Sequence, residues 1–317
     1  MEESLIQVAD ARRAMEALEW AVVRAERPEA EVASAVVKAT KADFKAASDA
    51  YLPDVRARLD RIMMSSDAEA GLDALLDAGA LSAILPEVEA MVGFGDGEWR
   101  HKDVWKHTKQ VVRQAVPRLE VRWAALLHDI GKVKTRSISP SGEVHFFGHA
   151  EVGARMFDKI DRRVPLFTKD QPLRSSVRFL ILHHLRASQY EASWTDSAVR
   201  RFTKEMGACL DDVLNLSRAD ITTKRPEKKR KGLRQITRSV EYGSSIIHSI
   251  VTGRPPSSPR RRQTRLRRCW GWRRDRRAAT QHSSPGWPPR SSGPETPGRR
   301  SPALRVSAAR NAAWRRR

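Results

Sequence analysis

The stretch Leu126-Leu127-His128-Asp129-Ile130-Gly131-Lys132, LLHDIGK, governs the reading of this chain. An apolar run leads straight into an adjacent His-Asp pair, and a Gly and a Lys follow. Burying the Asp carboxylate costs free energy unless something positive sits beside it. On a helix His128 and Asp129 lie roughly 100° apart, so both can lean toward one cleft. Lys132 comes one turn later and points the same way. Its ammonium is a compact point charge suited to a phosphate oxygen. Gly131 lets a ligand or another backbone approach closely.

Other histidines extend the pattern. Eight of the nine His precede residue 253: His101, His107, His128, His145, His149, His183, His184 and His248. His107 sits in DVWKHTKQVV, where Trp105, Val111 and Val112 supply the apolar side of a helix. His149 falls in FGHAEVGA, where a helix should begin. His183 and His184 end the apolar run FLIL, and Asp220 follows Arg218-Ala219 in SRADITT. Neutral imidazoles with one or two carboxylates and room for water make a divalent-metal site. His145 and His248 read as ordinary packed or solvated residues, and His101 is left open.

The surrounding sequence is mainly helical. Residues 1–54 are rich in Ala, Glu and Lys, with Pro28 as the obvious break. Residues 55–100 read as short amphipathic helices closed by the loop GFGDGEW. Within 101–252, KTRSI and EVHFF flank a Pro-Ser-Gly turn and predict a small β-hairpin between helices. Further helices are expected over 174–185, 197–206, 209–218 and 234–251.

The formal net charge of +21 looks like that of a nucleic-acid binder. It is unevenly placed. Residues 253–317 hold 19 Arg, no Lys and the two acids Asp275 and Glu295, a balance of +17 that leaves +4 for the rest. This Arg-, Pro-, Ser- and Trp-rich segment has too little apolar surface to offset ordering entropy, so a disordered tail is expected. Three origins compete for it: an RNA-binding arm, a plain linker-like tail, or out-of-frame translation of a GC-rich gene. The abrupt end of Lys usage favours the last. Cys209 and Cys269 show no disulfide or zinc-ribbon spacing, which fits a cytoplasmic protein. The N-terminus lacks the apolar core of a signal peptide, and no apolar run is long enough for a membrane span.

The ordered series His107, His128-Asp129, His149, His184 (or His183) and Asp220 resembles the HD superfamily of metal-dependent phosphohydrolases. DVWKHTKQVV, ALLHDIGKVKTRS, SGEVHFFGHAEVGA, the LILHH run and SRADITT further resemble the HD domain of bacterial tRNA nucleotidyltransferases of the CCA-adding and poly(A) polymerase-like family. The segment ending in ILPE resembles that family's helical neck. The resemblance covers roughly residues 55–225. It implies a mainly α fold: a helical HD bundle with one β-hairpin behind an N-terminal helical neck.

It also implies that His107, His128, Asp129 and Asp220 bind a divalent ion (Mg2+, Mn2+, Ni2+ or Co2+). His149 with His184 or His183 would complete a second metal site or hold phosphate. Asp129 would orient water, and Lys132 and Arg218 would offset phosphoryl charge. The substrate class is a nucleotide or RNA 3′ end, tRNA included, with phosphatase or 2′,3′-cyclic phosphodiesterase chemistry. Thr223, Lys224, Arg225 and the KKRK run at 228–231 read either as phosphate-steering groups or as a solvated loop. The family's nucleotidyl-transfer head carries two spaced Asp on strands. Residues 1–54 hold no such pair, and Asp54 and Asp60 are helical by pattern. Two alternatives stand beside the hydrolase: a non-catalytic RNA-binding module, and a fragment of a nucleotidyltransferase whose head is encoded upstream.

Overall fold

The computed structural model describes residues 2–27, 37–95, 103–188 and 195–237. Pro28, His101, His248, Cys269 and the whole of 253–317 lie outside the described residues, as does most of the helix expected over 234–251. Among the described residues no helix is long and apolar enough to cross a membrane.

Helices α1 (Glu2–Glu26), α2 (Lys41–Met64) and α3 (Ala68–Asp77) pack together. Small side chains on α1 explain how closely. Ala11, Ala14, Leu18, Ala21, Val22 and Ala25 recur at helical spacing and are buried. A Cβ placed on Gly71 of α3 would lie 2.6 Å from the Ala25 methyl and 2.7 Å from Ile62. Thr40 and Asp43 form a capping box that starts α2. Pro53 lies inside α2, and Tyr51 just before it leaves helical geometry (φ −133°, ψ 36°). Proline removes an amide donor and crowds the preceding turn, so the helix kinks there. Asp54 and Asp60 are helical, and among the described residues the first 54 contain no strand. The short helices α4 (Ala80–Ile84) and α5 (Pro86–Glu89) carry ILPE.

The second half is a bundle of α6 (Val104–Gln114), α7 (Leu119–Leu127), α9 (His149–Arg163), α10 (Gln171–His183), α11 (Asp196–Met206) and α12 (Leu210–Ala219). One turn of helix, α8 (Lys132–Thr135), precedes a hairpin of β1 (Ser137–Ile138) and β2 (Val144–His145), paired antiparallel with Ser137 opposite His145. The hairpin is shorter than the sequence suggests, because Lys134 and Thr135 complete α8 instead of entering the strand. Residues 226–237 are helical.

α7 is the centre of the bundle. Every residue from Val121 to Leu127 is buried, and the helix packs against α6, α10, α12 and α2. Buried polar links bind α7 to the neck. The Arg122 guanidinium donates to the carbonyls of Met63 (2.7 Å), Ser65 (3.0 Å) and Ala115 (3.2 Å). These are carbonyls at or just beyond the ends of α2 and α6, which have no intrahelical partners. Trp123 Nε1 donates to Asp60 (2.7 Å), and Asp60 also accepts from Arg56. Arg163 donates to Ile84 O and Glu87 of the ILPE segment.

Candidate metal centre

The chemistry-bearing residues sit at helix ends. α7 stops at Leu127 with His128 as its C-cap, α10 stops at His183 with His184 as C-cap, and α12 stops at Ala219 with Asp220 as C-cap. Three helix C-termini thus converge, each carrying partial negative charge that favours a cation. His107 comes from the first turn of α6, and His149 is the first residue of α9.

His128 and Asp129 are therefore not both on a regular helix, as the sequence suggested. From Leu127 the chain tightens into successive turns, with Ile130 N bonded to Leu127 O and Lys132 N to Asp129 O. The reason is the close approach of α9. A Cβ on Gly131 would sit 2.8 Å from Gly153 N and 3.0 Å from the His149 carbonyl carbon, and closer still to the His149 oxygen. Only glycine allows this contact, and it brings His149 to the His128-Asp129 turn.

Two groups of ligand-type atoms result, and Asp129 belongs to both. On one side His107 Nε2 lies 3.0 Å from Asp220 Oδ1 and 3.5 Å from Asp129 Oδ2. His128 Nε2 lies 3.2 Å from the same Asp129 oxygen and 3.7 Å from Asp220 Oδ1. On the other side His149 Nε2 lies 3.6 Å from Asp129 Oδ1 and 3.2 Å from His184 Nε2. The His128 and His184 rings, 5.1 Å apart, join the two sides.

Hydrogen bonds at the far ring nitrogens orient the imidazoles. His128 Nδ1 is 2.8 Å from Ala125 O, His149 Nδ1 is 2.7 Å from Phe146 O, and His184 Nδ1 is 2.8 Å from Ile181 O. A carbonyl only accepts, so each Nδ1 carries its proton and donates. In the neutral ring each Nε2 then keeps a lone pair aimed at the cluster. His107 is held through Nδ1 by the Thr222 hydroxyl at 3.0 Å.

Electrostatics follow from burial and from neighbours. Burial holds His184 down at about 4, helped by the charge on His128, and burial also lowers His149. Both rings are thus neutral at pH 7, and their Nε2 lone pairs face each other without a proton between them. Burial alone would lower His128, but Asp129 and Asp220 outweigh it and raise it to about 10. Burial would raise Asp129 and Asp220. The surrounding imidazoles prevail, together with Lys132 in the case of Asp129, and hold both carboxyls well below the usual range. Asp129 Oδ1 and His128 Nε2 are buried without an aligned hydrogen-bond partner. Orphaned buried polar atoms are costly, and a divalent cation that takes the place of the His128 proton satisfies both together. Ligands 2.0–2.1 Å from one ion and at right angles stand about 3 Å apart, close to the spacing of His149 and His184. The donor set fits a metal.

Lys132 Nζ lies 2.5 Å from Asp129 Oδ2 and 5.8 Å from the Phe146 ring. His183 is outside both groups, its ring tilted against Phe179 with centroids 4.3 Å apart. Arg218 bonds to Asn215 (3.1 Å) rather than to the cluster. Lys224 to Lys231 are exposed on the segment that follows Asp220. Sequence reading missed Thr222, whose only sign was its place in DITT, and Gln114, which donates to Ala219 O (2.7 Å) and pins the turn bearing Asp220. It also missed the backbone acceptors of the three imidazoles, which carry no side-chain signature.

Residues 104–231 match the HD domain family model. The chain is 32% identical over 172 residues to the A-adding tRNA nucleotidyltransferase of Deinococcus radiodurans, covering 52% of this chain and 38% of that protein. It is 34% identical over 174 residues to the CC-adding tRNA nucleotidyltransferase of Thermus thermophilus, again 52% and 38%. A multifunctional CCA protein of Ectopseudomonas mendocina matches at 34% over 111 residues, 33% of this chain and 26% of that one. The chain therefore spans well under half the length of these relatives. The HD domain match over residues 104–231 points to the metal-dependent phosphohydrolase superfamily, and about half of this chain is homologous to the bacterial tRNA nucleotidyltransferases.

Proposed function

We propose that this chain is a metal-dependent phosphohydrolase acting on nucleotide or RNA-end phosphoesters, as a phosphatase or a 2′,3′-cyclic phosphodiesterase. The observation that carries the reading is the buried Asp129, its two oxygens facing two imidazole groups and Oδ1 left unpartnered. His107, His128, Asp129 and Asp220 would hold one divalent ion, and Asp129, His149 and His184 a second. Such ions, when bound, lower the pKa of water and polarise a phosphoryl oxygen. The protein's own groups do the rest. The Nδ1 hydrogen bonds keep the imidazole lone pairs aimed inward, and Asp129 orients the attacking water and accepts its proton. Lys132 moves from Asp129 to a phosphate oxygen as charge builds there, and Arg218 supplies a second cation at the rim. Lys224, Arg225 and the 228–231 run steer the polyanion toward the cluster. His183, turned onto Phe179, takes no direct part.

In domain terms the proposal assigns 1–54 and 55–100 to helical support and 101–252 to catalysis, and leaves 253–317 as an appended tail. The 54/55 division lies inside α2, just after its kink. The test uses the full chain. Metal content is measured, and phosphate release is assayed from 2′-nucleotides and 2′,3′-cyclic nucleotides with Mg2+, Mn2+, Ni2+ and Co2+. Asp129→Ala is expected to lose both bound metal and turnover. Unchanged metal content and rate would refute the site.

A second reading rests on the relatives, whose names describe nucleotide addition to tRNA. In that case the chain contributes an RNA-binding module. It would bind tRNA without metal, with an affinity that falls steeply as salt rises.

A further inference from the structure

Large apolar side chains left in water on a protein surface call for a reason when they stand beside a reactive centre. Phe147 is 78% exposed and Ile138 of the same hairpin is 60% exposed. Phe147 is also ordered by its neighbours. Its ring stacks on the His145 imidazole, centroids 5.0 Å apart and planes within 14°. Gly148 follows in the left-handed region (φ 71°), where the chain turns, and His149 then enters the metal cluster. Two residues of chain span at most ~7 Å, so Phe147 stands within one nucleotide of a ligand residue. The preceding carbonyl, that of Phe146, is the acceptor that orients His149. Lys134 and Arg136, exposed on the segment entering the hairpin, have no carboxylate partner among the described residues.

We propose that Phe147, backed by His145, is the platform on which the base of a nucleotide substrate stacks, with Lys134 and Arg136 taking flanking phosphate charge. A flat ring with one face covered by imidazole and most of its surface in water suits a π-face. Stacking needs no hydrogen-bond readout, so any base fits. The same chemistry is offered by a mononucleotide and by the unpaired 3′ end of an RNA. The proposal rests on the phosphohydrolase reading for its consequence in turnover, and the test separates the two.

Full-length protein is assayed for phosphate release from a 2′-nucleotide, from a short RNA with a terminal phosphate, and from glycerol 2-phosphate, which has no base. Phe147→Ala is expected to lower the ratio of kcat/KM for the nucleotide to that for glycerol 2-phosphate about tenfold, within the range of one base–aromatic stack. Phe147→Trp should restore it. An effect confined to the RNA identifies the source as an RNA end, and an effect on both identifies a mononucleotide site. In parallel, 2-aminopurine nucleotide fluorescence is followed with metal chelated, where no turnover contributes. Quenching by the wild type that is lost in Phe147→Ala supports the platform even where no ester is hydrolysed, an outcome that sinks the phosphohydrolase reading alone. An unchanged ratio with unchanged quenching overturns the platform.

Discussion

Gly131→Ala tests the contact that assembles the cluster. The added methyl would sit 2.8 Å from Gly153 N and 3.0 Å from the His149 carbonyl carbon, and closer to the His149 oxygen. All three atoms are backbone, so no side chain can swing aside. Carbon contacts are optimal near 3.5 Å, so the start of α9 must retreat by roughly 1 Å. Overpacking against rigid backbone costs about 3 kcal/mol, the upper end of the usual range. In a domain of this size that lowers Tm by roughly 6–12 °C. The retreat also carries His149 away from Asp129 Oδ1, from which it now stands 3.6 Å. A displacement of about 1 Å at a reacting centre is worth about a hundredfold in rate. The assay is paired: thermal unfolding, and metal per chain by elemental analysis. Gly153→Ala is the control. Its methyl would meet the Ile181 Cγ2 methyl at 3.3 Å, a contact that asks for a shift of only a few tenths of an ångström, and alanine is the better helix former. If Gly131→Ala melts like the wild type and keeps its metal, the glycine contact does not position His149.

The remaining predictions concern protons, orientation and the joint with the neck. In the metal-free chain His128 is raised to about 10, so a cation must displace its proton. Calorimetric titration at neutral pH in buffers of different ionisation enthalpy should show about one proton released as the His107–His128 group fills. The His128 proton stabilises the metal-free fold fully below ~6.5, its unfolded value, and that contribution is lost as pH rises through about 10. Metal affinity should climb over the same window, and a flat pH dependence would contradict the assignment. Thr222→Val removes the 3.0 Å contact that fixes His107 and should weaken metal binding about tenfold while leaving the melting curve of the chelated protein in place. Arg122→Met strands the carbonyls of Met63, Ser65 and Ala115. It should cost about 3 kcal/mol in urea unfolding, whereas a change under about 0.5 kcal/mol, the usual scatter of surface substitutions, would deny the buried guanidinium a structural role.

The sequence by itself determined the helical class, the hairpin and the identities of the cluster. LLHDIGK could be read because an apolar run ending in His-Asp has few bland explanations, and because Leu126 and Leu127 announce burial before the charge arrives. The start of α9 at His149 was legible from the Phe-Gly-His junction. Tertiary structure decided the rest. It chose His184 over His183 for the cluster, because the C-cap position turns one ring onto Ile181 O and the other onto Phe179. It placed His128 and Asp129 on a tight turn instead of a helix, because α9 crosses at Gly131. It divided Asp129 between two groups of imidazoles, a property of side-chain direction that no spacing along the chain encodes. Local sequence specifies which atoms can bind a cation, whereas the convergence of three helix C-termini specifies where those atoms meet.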